Sequence, residues 1–170
     1  MSENPVQIAI RMEVDGMAFY QKAADNTKNP LGKKMFLSFV EDEKKHLKAL
    51  EDVFKGVDDT NFFALFQEEG PRKRIETVFS RAEEEVSGDA LKAGSGELAA
   101  LETAMKMEQD GYAFYMDIAE KSDDAAVREL FKLLAIEEDE HYNMLMNTHA
   151  YLSDTGNWFM WGEEGVVDGG

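Results

Sequence analysis

The sequence predicts an all-α protein, an antiparallel four-helix bundle that is built from two similar helix pairs. Residues that favour helices (Ala, Glu, Lys, Leu and Met) dominate, and only three of the 170 residues are proline. Apolar residues recur at helical spacing in four stretches, and a short polar break separates the two stretches of each pair. A chain of this length, 44% of it hydrophobic, suits a single domain over residues 1–170.

The two helix pairs are related by an internal repeat. Residues 11–50 align with residues 106–145 without a gap, at a constant offset of 95, and 12 of the 40 aligned positions are identical. The segment "RMEVDGMAFYQKAADN" lies over "KMEQDGYAFYMDIAEK", and "VEDEKKHLKAL" lies over "AIEEDEHYNML". Similarity in one ungapped register indicates a duplicated structural unit.

The first helix pair is expected over residues 6–54. Its first helix covers residues 6–27, because Pro5 suits the first turn of a helix and "NTKNP" interrupts the helical pattern. Its second helix covers residues 31–54 and ends near Gly56. The turn between the two helices is short, which makes them antiparallel neighbours.

The second helix pair is expected over residues 97–152. Its helices cover residues 97–121 and 124–152. The stretch "KSDDAA" supplies the short turn between them, with Asp123 or Asp124 as the N-cap of the last helix. This pair is therefore predicted to be a second antiparallel hairpin of helices.

A long connection over residues 55–96 joins the two pairs. Its segment "GPRKRIETVFSRAEEEV" is expected to form a short helix, and "SGDALKAGSGE" a loop. A connection of this length can cross the end of the bundle, and it would also let two copies of the chain exchange helix pairs. The tail over residues 153–170 carries Trp158, Phe159 and Trp161, which we expect to cover the bundle or a partner subunit.

Four glutamates and two histidines interrupt the apolar faces of the predicted helices. Residues three or four apart share a helix face, so all six side chains are predicted to point into the core. They are Glu13 in the first helix, Glu43 and His46 in the second, Glu108 in the third, and Glu138 and His141 in the fourth. The apolar residues of the same faces are Val6, Ile10, Met17, Tyr20, Ala24, Phe36, Phe39, Val40, Leu47, Leu50, Leu101, Met105, Tyr112, Tyr115, Phe131, Leu134 and Leu145, together with Thr148. The alternative for each glutamate is a position at the edge of the bundle, where its carboxylate reaches water.

Four carboxylates in one core are unfavourable unless cations compensate them, because a buried unpaired ion costs several kcal/mol. Two divalent cations balance four carboxylates, while two imidazoles coordinate as neutral ligands. Carboxylates with one imidazole per ion suit iron or manganese, whereas closed zinc sites favour thiolates or more histidine. The six residues therefore predict a dinuclear metal site in which a glutamate can bridge two ions.

The composition excludes several classes of function. The sequence contains no cysteine, which excludes disulfides, zinc–thiolate sites, iron–sulfur clusters and thiol catalysis. The net charge of −17 repels nucleic acid and anionic membranes and attracts cations, although the acidity has maintenance of solubility as its alternative role. We find no secretory leader and no run of roughly 20 apolar residues, so we expect a cytoplasmic protein that binds neither nucleic acid nor membrane.

The sequence resembles the rubrerythrin family of the ferritin-like superfamily. The resemblance rests on "MEVDGMAFY", "EDEKKH", "MEQDGYAFY" and "EEDEH" in this order, and on the ending "HAYLSDTGNWF". It covers the whole chain apart from the middle of the connection. Ferritin-like di-iron proteins are four-helix bundles in which two helices each supply a glutamate and the other two each supply Glu-x-x-His.

The resemblance implies a role for each of the six residues. Terminal ligands are Glu13 and Glu108, bridging ligands are Glu43 and Glu138, and one histidine caps each of two iron ions, His46 and His141. Asp42 and Glu137 lie four residues before the histidines and reach the same face, but the bridging assignment favours the glutamates that are identical in both halves. Tyr20 and Tyr115 resemble the tyrosines that support the ligands in this family and assist its catalysis; core packing is their alternative role.

Two departures from the family concern the supply of electrons and the surroundings of the metal. Rubrerythrins proper carry a rubredoxin-type domain with four cysteines, which this sequence lacks, so we expect an external donor such as a rubredoxin-like protein. The family's additional glutamate, one turn after the ligand of the third helix, is Gly111 here, and its repeat partner is Gly16. Glycine inside a helix costs about 1 kcal/mol relative to alanine. Either close helix packing or space for an oxidant beside the irons accounts for the two glycines.

The resemblance implies reduction of hydrogen peroxide or dioxygen at two iron ions, as protection against oxidative stress. One alternative is a ferroxidase or iron-handling protein, in which iron is the substrate; another is a bundle whose metal has only a structural or binding role. Manganese and zinc are the alternatives to iron. The family commonly forms dimers, so we expect a homodimer. His149 lacks a glutamate three residues before it and is expected to lie outside the metal site.

Overall fold

Four α-helices make up the described part of the chain, which in the computed structural model comprises residues 4–55 and 95–153. The helices are α1 (Pro5–Asn26), α2 (Pro30–Phe54), α3 (Ser95–Lys121) and α4 (Ala125–Ser153). Every boundary lies within two residues of the one that the sequence predicts. Within these two ranges there is no β-strand, and the all-α prediction is confirmed.

Polar side chains at the helix starts explain why the boundaries are predictable. The side chain of Asn29 accepts hydrogen bonds from the backbone N–H groups of Leu31 and Gly32, at 2.9 and 3.1 Å. The carboxylate of Asp124 does the same for the first turn of α4, so it is Asp124 and not Asp123 that caps this helix. These caps satisfy N–H groups that have no partner within the helix. At the start of α1, Asn4 is the cap and Pro5 follows it in the first turn, as predicted.

The helices pack as two antiparallel pairs. Helix α1 packs along α2, and α3 packs along α4. The two pairs meet where α2 contacts α4 and where α1 contacts α3. This arrangement confirms the bundle of two helical hairpins that the repeat predicts.

The core contains two apolar clusters, one toward each end of the bundle. The first cluster is built from Tyr20, Ala23, Ala24, Met35, Phe36, Phe39, Val40, Leu101, Ala104, Met144, Leu145 and Leu152. The second is built from Val6, Ala9, Ala49, Leu50, Tyr115, Ile118, Ala119, Leu130, Phe131, Leu134 and Ala135. Between them, near the middle of each helix, lie the buried acids and histidines. One predicted core residue is wrong: the side chain of Tyr112 is 40% exposed, because the face of α3 that packs passes through Glu108, Gly111 and Tyr115 instead.

Some predictions concern residues outside the described ranges. They include the short helix expected in the connection, at 70–86, and the covering role of Trp158, Phe159 and Trp161 in the tail. The single-domain division and the exchange of helix pairs stay predictions. None of the helices in the described ranges is sufficiently long and apolar to cross a membrane.

Candidate metal centre

The structure brings all six predicted residues together in the middle of the bundle. Each of these residues is at most 5% exposed, so the prediction that they point into the core is confirmed, and none of them lies at the edge of the bundle. These six residues, called the centre below, are Glu13 of α1, Glu43 and His46 of α2, Glu108 of α3, and Glu138 and His141 of α4.

Two overlapping groups of potential ligand atoms lie within the centre. One group is Glu13, Glu43, His46 and Glu138, and the other is Glu43, Glu108, Glu138 and His141. In each group the ligand atoms lie within 4.8 Å of one another, a spacing that one metal ion could span. Glu43 and Glu138 belong to both groups and are called the shared glutamates; Glu13 and Glu108 belong to one group each and are called the outer glutamates.

One nitrogen of each histidine faces the carboxylates. His46 Nδ1 lies 3.2 Å from Oε2 of Glu13 and 3.4 Å from Oε2 of Glu43. His141 Nδ1 lies 3.5 Å from Oε1 of Glu108 and 3.8 Å from Oε2 of Glu138. The two histidines therefore occupy equivalent positions in the two repeats, each beside the outer glutamate of its own half.

The other nitrogen of each histidine faces an acid of the opposite half. His141 Nε2 lies 3.5 Å from Oδ2 of Asp42, and His46 Nε2 lies 4.0 Å from Oε2 of Glu137. Asp42 and Glu137 are buried and occupy equivalent repeat positions. A carboxylate behind a histidine fixes the orientation of its ring toward a metal. The sequence indicated only that these acids reach the same helix face; the pairing across the halves is a finding of the structure.

The two tyrosines also contact acids of the opposite half. The hydroxyl of Tyr20 in α1 donates a hydrogen bond to Glu108 in α3, and that of Tyr115 in α3 donates to Glu13 in α1. Burial and the neighbouring carboxylates raise the pKa of both phenols well above its usual value, so both hydroxyls keep their protons. The tyrosines therefore support the outer glutamates in addition to packing in the apolar clusters.

The outer and shared glutamates differ in their affinity for protons. Burial alone would raise the pKa of Glu13, but the charge of His46 and several hydrogen bonds outweigh it and lower the pKa to about 2. Glu108 follows the same pattern, since its hydrogen bonds and the charge of His141 lower its pKa despite burial. For Glu43 and Glu138, burial and the charge of the adjacent outer glutamate act together and raise the pKa well above the usual range.

The histidines hold their protons tightly. Burial would lower the pKa of His141, but the charge of Glu108 and the carboxylate of Asp42, 3.5 Å from Nε2, outweigh it and raise the pKa to about 10. The pKa of His46 is likewise raised well above its usual value, mainly by the charge of Glu13. The raised pKa values favour the charged form of the two histidines beside the ionised outer glutamates, and they favour the neutral form of the two shared glutamates.

This protonation pattern fits a pair of divalent cations. Two such ions would replace the protons of the two histidines and the two shared glutamates without changing the net charge of the centre. The donor atoms are carboxylate oxygens and imidazole nitrogens, the set that suits iron or manganese. The third histidine, His149, lies outside the centre as predicted, with Nε2 at 3.2 Å from Oε1 of Glu102.

Comparison with known protein families agrees with this geometry. The model of the rubrerythrin family matches residues 4–149. The chain belongs to the rubrerythrin family. The match includes the whole centre of this rubrerythrin-family protein, and its ferritin-like helical bundle is the fold that the resemblance implied. The comparisons find no significantly similar curated protein and no significantly similar solved structure.

Proposed function

We propose that this rubrerythrin-family protein holds two iron ions in its centre and uses them to reduce hydrogen peroxide or dioxygen. The observation that carries the proposal is the sharing of Glu43 and Glu138 between the two ligand groups. A carboxylate that is within reach of two metal positions can bridge two ions, whereas two independent sites would each need their own acids. The family membership supports a di-iron centre in the same place.

The proposed ligand set assigns one outer glutamate and one histidine to each ion. Glu13 and His46 would hold one ion, and Glu108 and His141 the other, with both shared glutamates between them. Four ionised glutamates and two neutral histidines would then balance the charge of two divalent ions. The donor set favours iron or manganese over structural zinc, since no sulfur ligand is present.

When bound, a pair of ferrous ions supplies the two electrons that convert one hydrogen peroxide and two protons into two waters. The residues of the chain would hold the charge and geometry of the centre during this reaction. Tyr20 and Tyr115 donate hydrogen bonds that keep the outer glutamates oriented and ionised. An external donor, such as a rubredoxin-like protein, would return the two electrons.

Metal stoichiometry is the first test of the proposal. The purified protein is loaded with ferrous ion under anaerobic conditions, freed from excess metal by desalting, and analysed for iron. We expect two irons per chain for the wild type and fewer for His46→Ala and His141→Ala. The matched control is His149→Ala, the same change at the only other histidine of the sequence, which should keep two irons.

Stoichiometric addition of hydrogen peroxide to the loaded protein tests the redox part. We expect the ultraviolet absorption of an oxo-bridged di-ferric centre to appear, and repeated turnover to follow when an external reductant is supplied. Oxidation of many irons per chain without a reductant would identify iron as the substrate and replace this proposal by an iron-handling function. Bound metal that shows no spectral change with either oxidant would refute both redox functions.

A further inference from the structure

A cavity of about 220 Å³ lies between α1 and α3 and reaches the shared glutamates. Its lining consists of six pairs of residues that the 95-residue repeat relates to one another: Met12 and Met107, Glu13 and Glu108, Asp15 and Asp110, Gly16 and Gly111, Tyr20 and Tyr115, and Glu43 and Glu138. Neither histidine of the centre is among these residues. The cavity therefore approaches the centre from the side of the carboxylates, symmetrically with respect to the two halves.

The two glycines of the cavity are not required by helix packing. A Cβ atom at Gly16 would lie 3.7 Å from Cδ of Glu43, and one at Gly111 would lie 3.6 Å from Cγ of Glu138. These are ordinary van der Waals distances, and in both cases the three nearest atoms belong to the shared glutamate and not to the backbone of another helix. Alanine would fit at both positions, and it is the better residue inside a helix. The glycines are therefore best explained by the space that they leave over the shared glutamates.

The remaining lining restricts what can use this space. The side chains of Met12 and Met107 are half-buried and form apolar walls, while Asp15 and Asp110 are exposed. Carboxylates at the surface and in the centre disfavour the approach of an anion, in a chain whose net charge is already −17. A small uncharged molecule meets neither a steric nor an electrostatic barrier of this kind.

We propose that Gly16 and Gly111 keep this cavity open as the path by which a small uncharged oxidant reaches the shared glutamates. Hydrogen peroxide belongs to this class. The inference rests on the proposed function, because an oxidant has a reason to reach this position only if the metal is bound there. It adds the route.

The test compares the variant Gly16→Ala/Gly111→Ala with the matched control Gly96→Ala. Gly96 is also a helical glycine, and a Cβ there would meet nothing within 4 Å. Urea unfolding of the metal-free proteins first checks the fold, and we expect the midpoint of the double variant to be at least that of the wild type. Iron content is then measured for all three proteins before any oxidant is added.

The loaded proteins are mixed with hydrogen peroxide and, separately, with tert-butyl hydroperoxide. One methylene group changes the discrimination of an apolar pocket between two substrates about 10-fold or more. By analogy, we expect the two added methyl groups of the double variant to lower the rate constant for hydrogen peroxide by about 10-fold. With the larger tert-butyl hydroperoxide, the double variant should lose at least as large a fraction of the wild-type rate. The control should match the wild type with both oxidants. Equal rates for the double variant and the wild type, with iron bound in both, would overturn the inference and leave the proposed function intact.

Xenon binding provides a readout that does not depend on the metal. Crystals of metal-free wild type under xenon pressure should show xenon between α1 and α3, and crystals of the double variant should lack it. If the alanines reduce iron content, this comparison decides: excluded xenon supports the inference, and equal occupancy overturns it. A wild type that binds no iron, or whose iron no oxidant changes, would defeat the proposed function and this inference together.

Discussion

At the scale of single residues, each tyrosine of the repeat supports the glutamate of the opposite half. Tyr20 reaches from α1 to Glu108 in α3, and Tyr115 reaches from α3 to Glu13 in α1. These hydrogen bonds hold the two helix pairs together at the level of the centre. They add to the larger effects that keep the outer glutamates ionised despite their burial, which are the charge of His46 at Glu13 and the hydrogen bond with Glu138 at Glu108.

Replacing either tyrosine with phenylalanine should destabilise the metal-free protein by a similar amount. A hydrogen bond to a charged group contributes about 1.5–3 kcal/mol, so we expect Tyr20→Phe and Tyr115→Phe each to lower the free energy of unfolding by roughly that amount. Urea unfolding followed by circular dichroism measures it. The matched control is Tyr112→Phe, at an exposed tyrosine of α3, which should change stability by less than about 0.5 kcal/mol. A loss as large in the control as in the two variants would contradict the assigned hydrogen bonds.

At the scale of the helices, the turn between α1 and α2 is held from two sides. Asn29 caps α2 with its own side chain. Oε1 of Glu97, in the first turn of α3, accepts hydrogen bonds from the backbone N–H groups of Lys28 and Asn29, at 2.5 and 2.9 Å. The turn of the first helix pair is thereby joined to the first turn of α3, where the second pair begins.

Removal of the Asn29 side chain should cost stability without affecting metal binding. Loss of an asparagine N-cap typically costs about 0.5–2 kcal/mol, and we expect Asn29→Ala to lie in that range because the residue is buried. The control is Asn26→Ala, at an exposed asparagine three residues earlier, with an expected change below about 0.5 kcal/mol. Thermal unfolding gives the stability, and iron analysis should give two irons per chain in both variants. Loss of iron in Asn29→Ala would show that this end of the bundle and the centre are coupled.

At the scale of the whole molecule, a polar layer separates two apolar clusters in one continuous core. Burial and the neighbouring charges raise the pKa of the shared glutamates, and the neighbouring carboxylates raise the pKa of the histidines, so protonation of these four groups is favoured when no metal is bound. Metal ions and protons therefore compete for the same atoms. This competition links the stability of the fold to both the metal concentration and the pH.

Metal binding should raise the melting temperature, and the rise should increase with pH. A ligand present at 100 times its dissociation constant stabilises a fold by about 2.7 kcal/mol, provided that it does not bind the unfolded chain. Raising the pH from 6 to 8 favours loss of the protons that the metal must displace, and the pKa of about 10 at His141 means that this gain continues above pH 8. Thermal unfolding with and without Mn²⁺, an air-stable probe, measures the difference at each pH. A difference that is constant or decreases with pH would contradict this competition.

Much of the fold and of the centre follows from local features of the sequence. Helix boundaries are predictable because caps such as Asn29 and Asp124 act on the residues directly beside them. The six residues of the centre are predictable because helical spacing places each on the apolar face of its helix. The repeat then indicates that the equivalent faces of the two helix pairs meet in one core. Metal ligation by the six is still a prediction, since burial and proximity alone do not show it.

The features that the sequence did not reveal depend on how one helix is rotated and shifted against another. Helical spacing shows that Asp42 lies on the face of the centre, but not that it contacts the outer nitrogen of His141 in the opposite half. Helical spacing likewise does not show that each tyrosine donates its hydrogen bond to the outer glutamate of the opposite half. The prediction that Tyr112 lies in the core is wrong for a related reason. Tyr112 lies at the edge of the apolar face, where the position of the neighbouring helix decides whether a side chain is exposed.

The sharing of Glu43 and Glu138 also has a consequence for the ancestry of the fold. Neither helix pair contains a complete ligand group, because each group borrows a glutamate from the other pair. A single-hairpin ancestor could have formed this centre only by associating with a second copy of itself, at a strength set by its concentration. A chain that carries both copies has no such dependence, and its two copies can differ in sequence. Asp42 and Glu137 differ in this way, at 3.5 and 4.0 Å from their histidines, which would give two chemically identical ions different surroundings.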